Sequence, residues 1–416
     1  MPKVLNGFKQ KSDFKFISSK VVILTINLQY RSYNKQEYFY FSQQLGKKVV
    51  VSVINDLVTD QRVHKVCHSL TDMGFDVLLV GRVLPSSMKM GKRPYKWHRM
   101  RLMFSKGALF YAEYNIRLFL FLLFHKTDLL VSNDLDTLLP NFLIHKIKSK
   151  PIVYDSHEYF TEVPELVSRP GVQRVWKRIE SWIFPKLKDV FTVNDSIADM
   201  FEDDYGLRPK VVRNIPVKKE MTEIATRAQL GLSETKKILI LQGSGINMHR
   251  GSEEMLEAMK YLQGVVLLIV GSGDVIDKLK EMAKSEELTD KVIFKGKQPY
   301  DKLIQYTAVA DLGLTLDKNT NLNYRFSLPN KLFDYIHAGV PVISSDLPEI
   351  RKIMDKYDIG DFIPNHEPEE IARKINQVLA NQDLIDKWKK NISFAAENLT
   401  WQNEEKVLKE VYNKYA

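Results

Sequence analysis

A chain of 416 residues is too long for one hydrophobic core of ordinary size, so its length indicates two domains. Its 44% hydrophobic and 27% charged residues exclude a disordered chain. The single cysteine, Cys67, excludes an intramolecular disulfide and a thiolate metal cluster, and it favours a reducing, cytoplasmic setting. The net charge of +10 predicts attraction to an anionic partner.

Residues 1–45 have no signal-peptide pattern, and regular hydrophobic patterning begins only near residue 47. We therefore treat residues 1–45 as an N-terminal extension of unknown role. The longest apolar run, 118–124, is about a third of the roughly 20 residues that cross a bilayer. The sequence therefore predicts no membrane-spanning helix.

From residue 48 onward, apolar runs rich in β-branched residues alternate with segments of helical periodicity, which is typical of parallel strands joined by crossover helices. The predicted strands of the first half are 49–54, 77–80, 129–131, 152–154, 190–192 and 211–212. Helices are predicted between them, for example over 60–73 and 137–147. This pattern predicts an N-terminal α/β domain over 46–215.

Two basic segments lie in this first half. Residues 82–106 contain eight cations and no acid, with Tyr95 and Trp97 interleaved. Residues 173–188 place an apolar stripe with two tryptophans beside five cations. A solvated loop, a nucleic-acid contact and an anionic membrane surface remain open for the first segment, and packing on the sheet remains open for the second. We predict salt-sensitive membrane binding that depends on the first segment, through Lys92, Arg93, Lys96 and Arg99.

The second half repeats the alternation and predicts a domain over 216–395. Its predicted strands are 238–241, 265–270, 292–294, 312–315 and 342–344, and its predicted helices are 252–260, 275–284, 302–308, 330–337 and 368–379. The tail, 396–416, contains an amphipathic helix. In doubly wound sheets, ligands bind where loops leave the carboxyl ends of the strands, so those loops carry the candidate site residues.

Three loops of the first half are polar at such positions. The loop after 49–54 contains Asp60 and Arg62, which would contact an acceptor, although helix capping also explains Asp60. The loop after 129–131 contains Asp134 and Asp136. Their D-x-D spacing is compatible with a metal site, and capping is the alternative for Asp136. The strand 152–154 leads into DSHEYF, which contains His157 and Glu158.

Two glycine-containing loops of the second half also follow strands and open helices. QGSGINMHRG places Arg250 in a loop with Gly243, Gly245 and Gly251, and VGSGD supplies Gly271 and Gly273. Glycines let a backbone approach a phosphate, and Arg250 would bind a diphosphate. Neither loop is a complete G-x-G-x-x-G, so dinucleotide binding of the dehydrogenase kind is not supported.

The segment SLPNKLFDYIHAGVPVI carries the most specific pattern. Its helix begins after a proline, with Asn330 and Lys331 in the first turn and Asp334 three residues after Lys331. A lysine and a carboxylate at this spacing also form ordinary surface pairs. The position of this helix in the domain with the glycine loops favours a binding role.

From about residue 49 to the C-terminus, the chain resembles the GT-B glycosyltransferases, in particular the retaining group-one (family-four-like) family that uses nucleotide-sugar donors. PNKLFDYIHAGVPVI resembles the donor motif in which seven residues separate two glutamates. Asp334 matches the second glutamate, which holds the donor ribose, whereas Phe326 replaces the first. Arg250 matches the phosphate-loop cation, Ser244 replaces the usual arginine before it, and His157 resembles the histidine that faces the donor sugar.

The resemblance implies two Rossmann-like doubly wound domains facing a cleft, with a C-terminal helix crossing back to the first domain. It implies that His157, Arg250 and Lys331 act in catalysis on a UDP- or GDP-linked sugar. Gly243, Gly245, Gly251, Gly271, Gly273, Asn330 and Asp334 would bind this donor, and Asp60, Arg62, Asp134, Asp136 and Glu158 would face the acceptor.

The expected reaction is retaining transfer to a glycan or lipid-linked acceptor in surface polysaccharide biosynthesis, without a metal or other cofactor. We expect a cytoplasmic enzyme attached peripherally to the inner face of the membrane, and no nucleic-acid partner. Two alternatives remain: a nucleotide-sugar epimerase of the same fold, and a non-catalytic basic binding protein.

Overall fold

The computed structural model describes residues 46–58, 60–85, 87–218 and 223–416. The predicted N-terminal extension, 1–45, lies outside these residues. Residues 47–416 form one compact unit that contains two parallel sheets. The first sheet lies before the predicted domain boundary at 215/216 and the second lies after it.

The first sheet has seven parallel strands in the order β3-β2-β1-β4-β5-β6-β7. Its strands are β1 Lys48–Asp56, β2 Asp76–Val83, β3 Lys96–Arg101, β4 Leu129–Asn133, β5 Ile152–Asp155, β6 Asp189–Thr192 and β7 Lys210–Val211. Its helices are α1 Gln61–Asp72, α2 Gly107–Phe124, α3 Leu135–Lys148, α4 Pro164–Val167, α5 Pro170–Ile183 and α6 Asp195–Tyr205. This sheet and its helices are called the first lobe.

The second sheet has six parallel strands in the order β10-β9-β8-β11-β12-β13. Its strands are β8 Lys237–Gly243, β9 Val265–Gly271, β10 Val292–Phe294, β11 Leu312–Thr315, β12 Val342–Ser344 and β13 Gly360–Phe362. Its helices are α7 Ser252–Ala258, α8 Ile276–Met282, α9 Tyr300–Ala308, α10 Leu322–Arg325, α11 Asn330–His337, α12 Pro348–Tyr357, α13 Pro368–Leu379 and α14 Gln382–Asn398. These elements form the second lobe.

Each sheet is covered by apolar side chains on both faces, as parallel sheets require. One face of the first sheet packs against α2, α3, α5 and α6, and the other packs against α1 and the final helix, α15 Trp401–Tyr412. Trp401, Leu408, Val411 and Tyr412 are buried in that second core. The expected fold is therefore confirmed, including the C-terminal helix that returns to the first lobe.

The strands predicted from the sequence are all present, and the structure adds β3 and β13. The strand β3 falls inside the basic segment 82–106, which the sequence interpreted as a loop or a binding segment. In β3, Lys96 forms an ion pair with Asp76 at 2.8 Å, and Arg99 donates to the carbonyl oxygen of Met88. Part of the segment is thus the edge strand of a sheet.

The expectation of no apolar stretch of membrane-spanning length is corrected by α2. This helix has 18 residues with a mean hydropathy of 1.3, and by length and composition alone it is apolar enough to cross a membrane. The charged Glu113 and Arg117, with Tyr114 and Asn115 between them, interrupt its apolar residues, so the longest continuous apolar run is much shorter than the helix. The inward side chains Tyr114, Leu118 and Leu122 are fully buried against the first sheet.

A buried carboxylate on α5 predicts a pH-dependent stability. Burial raises the pKa of Glu180 to about 7, although the Tyr205 hydroxyl donates to it at 2.8 Å. Because the folded state binds this proton more tightly, the carboxylate costs stability as the pH rises from about 4.5 to 7. Glu180→Gln should therefore be more stable than the wild type near pH 8, by up to about 3 kcal/mol, and equal to it near pH 4.5.

Urea unfolding at the two pH values measures this difference. Glu165→Gln removes an exposed carboxylate of the neighbouring α4 and is the matched control, with no expected change. A stability gain for Glu180→Gln that is the same at both pH values would contradict the assignment of the cost to ionisation.

Candidate functional site

A polar cluster surrounds His157 at the carboxyl ends of β4 and β5. The ring Nδ1 lies 3.2 Å from Oδ2 of Asp134, and Nε2 lies 3.1 Å from Oδ1 of Asn133 and 3.5 Å from Oδ2 of Asp155. Burial opposes a charged ring, but the carboxylates of Asp134 and Asp155 raise the pKa of His157 well above its usual value. Because both ring nitrogens face oxygen acceptors, the site suits a protonated imidazole that donates from both.

Asp134 has a strained backbone at this site. Its φ of 58° and ψ of 165° lie in a region that non-glycine residues rarely adopt, at a cost of about 1–3 kcal/mol. Its carboxylate accepts from the backbone N–H of His157 at 2.8 Å and does not cap α3. Asp136 lies in the first turn of α3, buried rather than at the capping position, so the capping interpretation of Asp136 is wrong.

Glu158 connects this cluster to the second lobe. Its Oε2 accepts from Nδ2 of Asn323 at 3.1 Å, and the backbone N–H of Tyr159 donates to Oδ1 of the same asparagine. Burial, together with the charge of Asp134, raises the pKa of Glu158 to about 7. The carboxyl group can therefore exchange a proton near neutral pH.

The two remaining acceptor-side candidates have structural contacts. Asp60 caps α1 by accepting from the N–H of Val63 at 3.0 Å, as the capping alternative predicts. Arg62 is 3% exposed and binds Asp155 through two nitrogens, at 2.6 and 3.0 Å. Its third nitrogen donates to the carbonyl oxygen of Val212. The Arg62 side chain is therefore too buried to make the predicted contact with an acceptor. Its observed role is to hold Asp155.

The glycines of the second lobe are needed where backbones meet. A Cβ on Gly271 would lie 1.8 Å from the carbonyl oxygen of Gly243, so the two glycine loops pack directly on each other. At Gly251, which has a φ of 70°, a Cβ would lie 2.3 Å from the carbonyl oxygen of Leu316. Gly273 is similarly close to Ile246. Packing therefore explains these three glycines, whereas a Cβ on Gly243 or Gly245 would meet no atom closer than 3.8 Å. The contact of all five with a donor stays a prediction.

Arg250 and Lys331 converge on one buried carboxylate, Asp317. Nη1 of Arg250 lies 3.1 Å from Oδ2 of Asp317, and Nζ of Lys331 lies 3.7 Å from Oδ1. Asp317 is fully buried, whereas the side chains of Arg250 and Lys331 are 25% and 11% exposed. Burial lowers the pKa of Lys331, and Asp317 opposes this shift. Two cations are thus held side by side at the carboxyl edge of the second sheet.

Lys331 pairs with Asp317 rather than with Asp334, so the surface-pair interpretation is wrong. Asp334 is 8% exposed, and its oxygens accept from the Tyr300 hydroxyl at 2.9 Å and from Nε2 of Gln242 at 3.2 Å. Burial raises the pKa of Asp334 to about 6. Asn330, at the start of the same helix, is exposed.

The short helix α10 joins the two clusters. The ring of Tyr324 lies under the Arg250 guanidinium at 4.5 Å, and the preceding Asn323 holds Glu158 of the first lobe. Three residues of this site were not predicted from the sequence: Asp317, Asn323 and Tyr324. Asp317 follows β11 at its carboxyl end, so the rule applied to the other loops would have found it. Nothing local distinguishes Asn323 and Tyr324, because their role depends on the opposite lobe.

Beside the second glycine loop, a cavity of about 380 Å³ is lined by Gly271, Ser272, Gly273, Ile276, Asp277 and Phe294. This volume falls within the usual range for small-molecule sites. Within the described residues, no group of three or more His, Cys, Asp or Glu side chains is arranged to hold a metal ion. The candidate site thus combines two cations of the second lobe with an ionisable cluster of the first lobe, and the cavity lies beside the second glycine loop without contacting either group.

Comparison with known families identifies both lobes. Residues 60–216 match the model described as Glycosyltransferase Family 4, and residues 223–393 match Glycosyl transferases group 1. The chain belongs to the group 1 glycosyltransferases of the GT-B fold.

Similar proteins include two curated enzymes. The chain is 28% identical over 144 residues to chitobiosyldiphosphodolichol beta-mannosyltransferase of Candida albicans, covering 32% of this chain and 30% of the relative. It is 25% identical over 264 residues to N-acetyl-alpha-D-glucosaminyl L-malate synthase of Bacillus anthracis, covering 62% and 58%. The chain thus spans less than two thirds of the length of each of these relatives.

The fold is also that of a solved structure, Anabaena HepE in complex with UDP-glucose. The TM-score is 0.67 at 15% identity, over 88% of this chain and 100% of the other. At this identity the likeness shows the fold alone.

In this group 1 glycosyltransferase, the departure at Phe326 has a visible consequence. The phenylalanine, which replaces the first glutamate of the family motif, packs against the apolar core of the first lobe. Its carbonyl oxygen accepts from Nδ2 of Asn194 at 2.7 Å. At the position where the family motif has an ionisable glutamate, this chain thus has a phenylalanine that joins the two lobes.

The ribose role of Asp334 predicts a specific loss of nucleotide affinity. Asp334→Ala should weaken binding of the free nucleoside diphosphate by roughly 10–100-fold, since hydrogen bonds to a charged group contribute about 1.5–3 kcal/mol. Calorimetric titration with UDP and GDP measures this change. Tyr300→Phe removes only a neighbour of Asp334 and should leave the affinity nearly unchanged. Phe326→Ala should affect sugar handling or packing. Equal affinities for Asp334→Ala and the wild type would assign Asp334 to the buried network alone.

Proposed function

We propose that this glycosyltransferase moves a sugar from a UDP- or GDP-linked donor to a glycan or lipid-linked acceptor, with retention and without a metal ion, in surface polysaccharide biosynthesis. The observation that carries the proposal is the convergence of Arg250 and Lys331 on Asp317 at the carboxyl edge of the second sheet. Two adjacent cations match the two charged phosphates of a nucleoside diphosphate.

The reaction step follows from charge. Breaking the bond between the anomeric carbon and the donor phosphate leaves negative charge on the diphosphate, and Arg250 and Lys331 would stabilise that charge as it develops. The leaving phosphate would help to take the proton of the acceptor hydroxyl. His157 would face the donor sugar from the first lobe, where its imidazolium is held by Asp134 and Asn133.

The names of two similar proteins support the substrate classes. HepE was solved with UDP-glucose, which supports a nucleotide-sugar donor. The Candida relative is named for a dolichol-linked diphosphate acceptor, which supports a lipid-linked acceptor here. The cavity beside Gly271 and Gly273 would take the nucleoside.

The experiment is a screen of UDP- and GDP-sugars with and without a lipid-linked glycan acceptor, read by mass and by NMR of the anomeric proton of the product. We expect one donor to give a glycosylated acceptor whose anomeric configuration equals that of the donor. An inverted product would overturn retention. Conversion of the donor into a different nucleotide sugar, without transfer, would identify an epimerase instead.

A further inference from the structure

The helix α2 carries two apolar stripes on opposite sides. Phe110, Tyr114, Leu118 and Leu122 recur every fourth residue and are buried against the first sheet. A second stripe faces outward, with exposed fractions of 61% for Leu109, 61% for Ile116, 47% for Leu120 and 83% for Phe124. A surface helix of a water-soluble domain normally presents polar residues on that side.

The charges of α2 do not relieve this exposure. Glu113 and Arg117 are its only charged residues, and they pair with each other at 2.8 Å. Glu113 also accepts from the backbone N–H groups of Met103 and Phe104. Because the inner stripe is fixed to the sheet, the helix lies on the surface of the lobe with its outer apolar stripe uncovered by the described residues.

The neighbouring helix α5 extends the apolar surface. The rings of Tyr111 on α2 and Trp176 on α5 meet edge to face at 5.3 Å. On the outside of α5, Val175 is 53% exposed and Trp182 is 47% exposed. Because α2 and α5 pack on the same face of the first sheet, their exposed apolar side chains lie on the same side of the lobe.

Cations surround this face. Arg174, Lys177 and Arg178 are exposed on α5, where Lys177 pairs with Glu162 at 2.6 Å and the only acid of the helix itself, Glu180, is fully buried. Lys106 and Lys126 are exposed immediately before and after α2. Among the described residues, Lys106, Lys126, Arg174 and Arg178 have no acidic partner within 4 Å, so their charge is available to an anionic surface.

We propose that this docking face, formed by the outer stripe of α2 and the outer side of α5, binds the surface of an anionic lipid bilayer. Apolar side chains that enter the interface while flanking cations meet lipid headgroups are typical of helices lying in the membrane plane. Charge complementarity favours a bilayer over a second copy of this chain, because a like-charged copy would bring the same unpaired cations together.

The docking face differs from the segment that the sequence predicts. In the basic segment 82–106, Lys96 is paired with Asp76 and Arg99 is 16% exposed beside Asp56. Because these two of its cations already face carboxylates, neutralising Lys92, Arg93, Lys96 and Arg99 should weaken membrane binding less than changes in α2 and α5. The inference does not rest on the transfer reaction, and it is tested without any donor.

The test is sedimentation of the full chain with vesicles of phosphatidylcholine alone or mixed with phosphatidylglycerol, at low and high salt. We expect binding to the mixed vesicles that high salt weakens. Ile116→Ser/Leu120→Ser/Phe124→Ser should abolish it, and Arg174→Gln/Arg178→Gln should lower the partition coefficient roughly fivefold for each cation removed. Circular dichroism checks that the variants stay folded.

Tyr261→Ser/Phe394→Ser is the matched control, because both side chains are exposed apolar groups of the second lobe, at 52% and 66%. This control should bind like the wild type. Absence of binding to the mixed vesicles would overturn the proposal, as would binding that the α2 serine variant retains. Self-association that the same variant abolishes, without vesicle binding, would show that the face pairs with a second copy.

Discussion

Replacing Arg250 or Lys331 with alanine is expected to lower turnover by roughly 10²–10³-fold, the usual effect of removing one group that stabilises transition-state charge. The two cations share Asp317, so each single variant also changes the contacts of the other. The double variant should therefore lose less than the product of the two single losses, because residues that act as a unit are not additive.

The measurement is steady-state kinetics with the donor found by the screen. Arg351→Ala is the matched control, since Arg351 is an exposed arginine whose ion-pair partners, Asp346 and Asp355, are its close neighbours in sequence. Its turnover should equal that of the wild type. Near-normal turnover in both single alanine variants, with the fold intact, would remove the cations from the mechanism.

The second large effect concerns stability. Arg62→Met should lower the free energy of unfolding by about 3–5 kcal/mol, because it removes the two-nitrogen contact of the buried Asp155 carboxylate and leaves it only the longer contact with His157. Both side chains are 3% exposed. Burial opposes ionisation of Asp155, but Arg62 and then His157 lower its pKa below the usual range, so the carboxylate stays charged near neutral pH.

Arg208→Met is the control for this prediction. Arg208 binds three carboxylates, those of Asp195, Asp199 and Glu202, but all of these side chains are exposed. Exposed ion pairs are screened by solvent, so the control should unfold at nearly the wild-type urea concentration. Similar losses in the two variants would show that burial is not what makes the Arg62–Asp155 pair important.

The strands could be predicted from the sequence because buried parallel strands are continuous apolar runs. The strand β3, KWHRMR, was missed because only Met100 of its six residues is buried. Edge strands with polar side chains have no such run. The exposed stripe of α2 was missed for a related reason: the sequence shows that a residue is apolar, and only the packing shows that nothing in the described chain covers it.

The candidate site was partly predictable. Arg250, Lys331 and His157 follow strands or begin helices, so position alone selected them. Their partners are distant in sequence: Asp317 lies 67 residues after Arg250, and Asn323 lies 165 residues after Glu158. For the glycines, the sequence shows the residue but not the reason for it. A glycine that lets the backbone approach a phosphate looks the same in a sequence as a glycine that lets two backbones pack together.

The most direct test of the central claim is the release of nucleoside diphosphate from a panel of UDP- and GDP-sugars, measured with the wild type and with Arg250→Ala/Lys331→Ala. The account predicts that at least one donor releases its nucleoside diphosphate with the wild type, that the same donor raises the melting temperature, and that both effects disappear in the double variant. Release that is equally fast in the double variant, or no release and no melting shift with any donor, would contradict it.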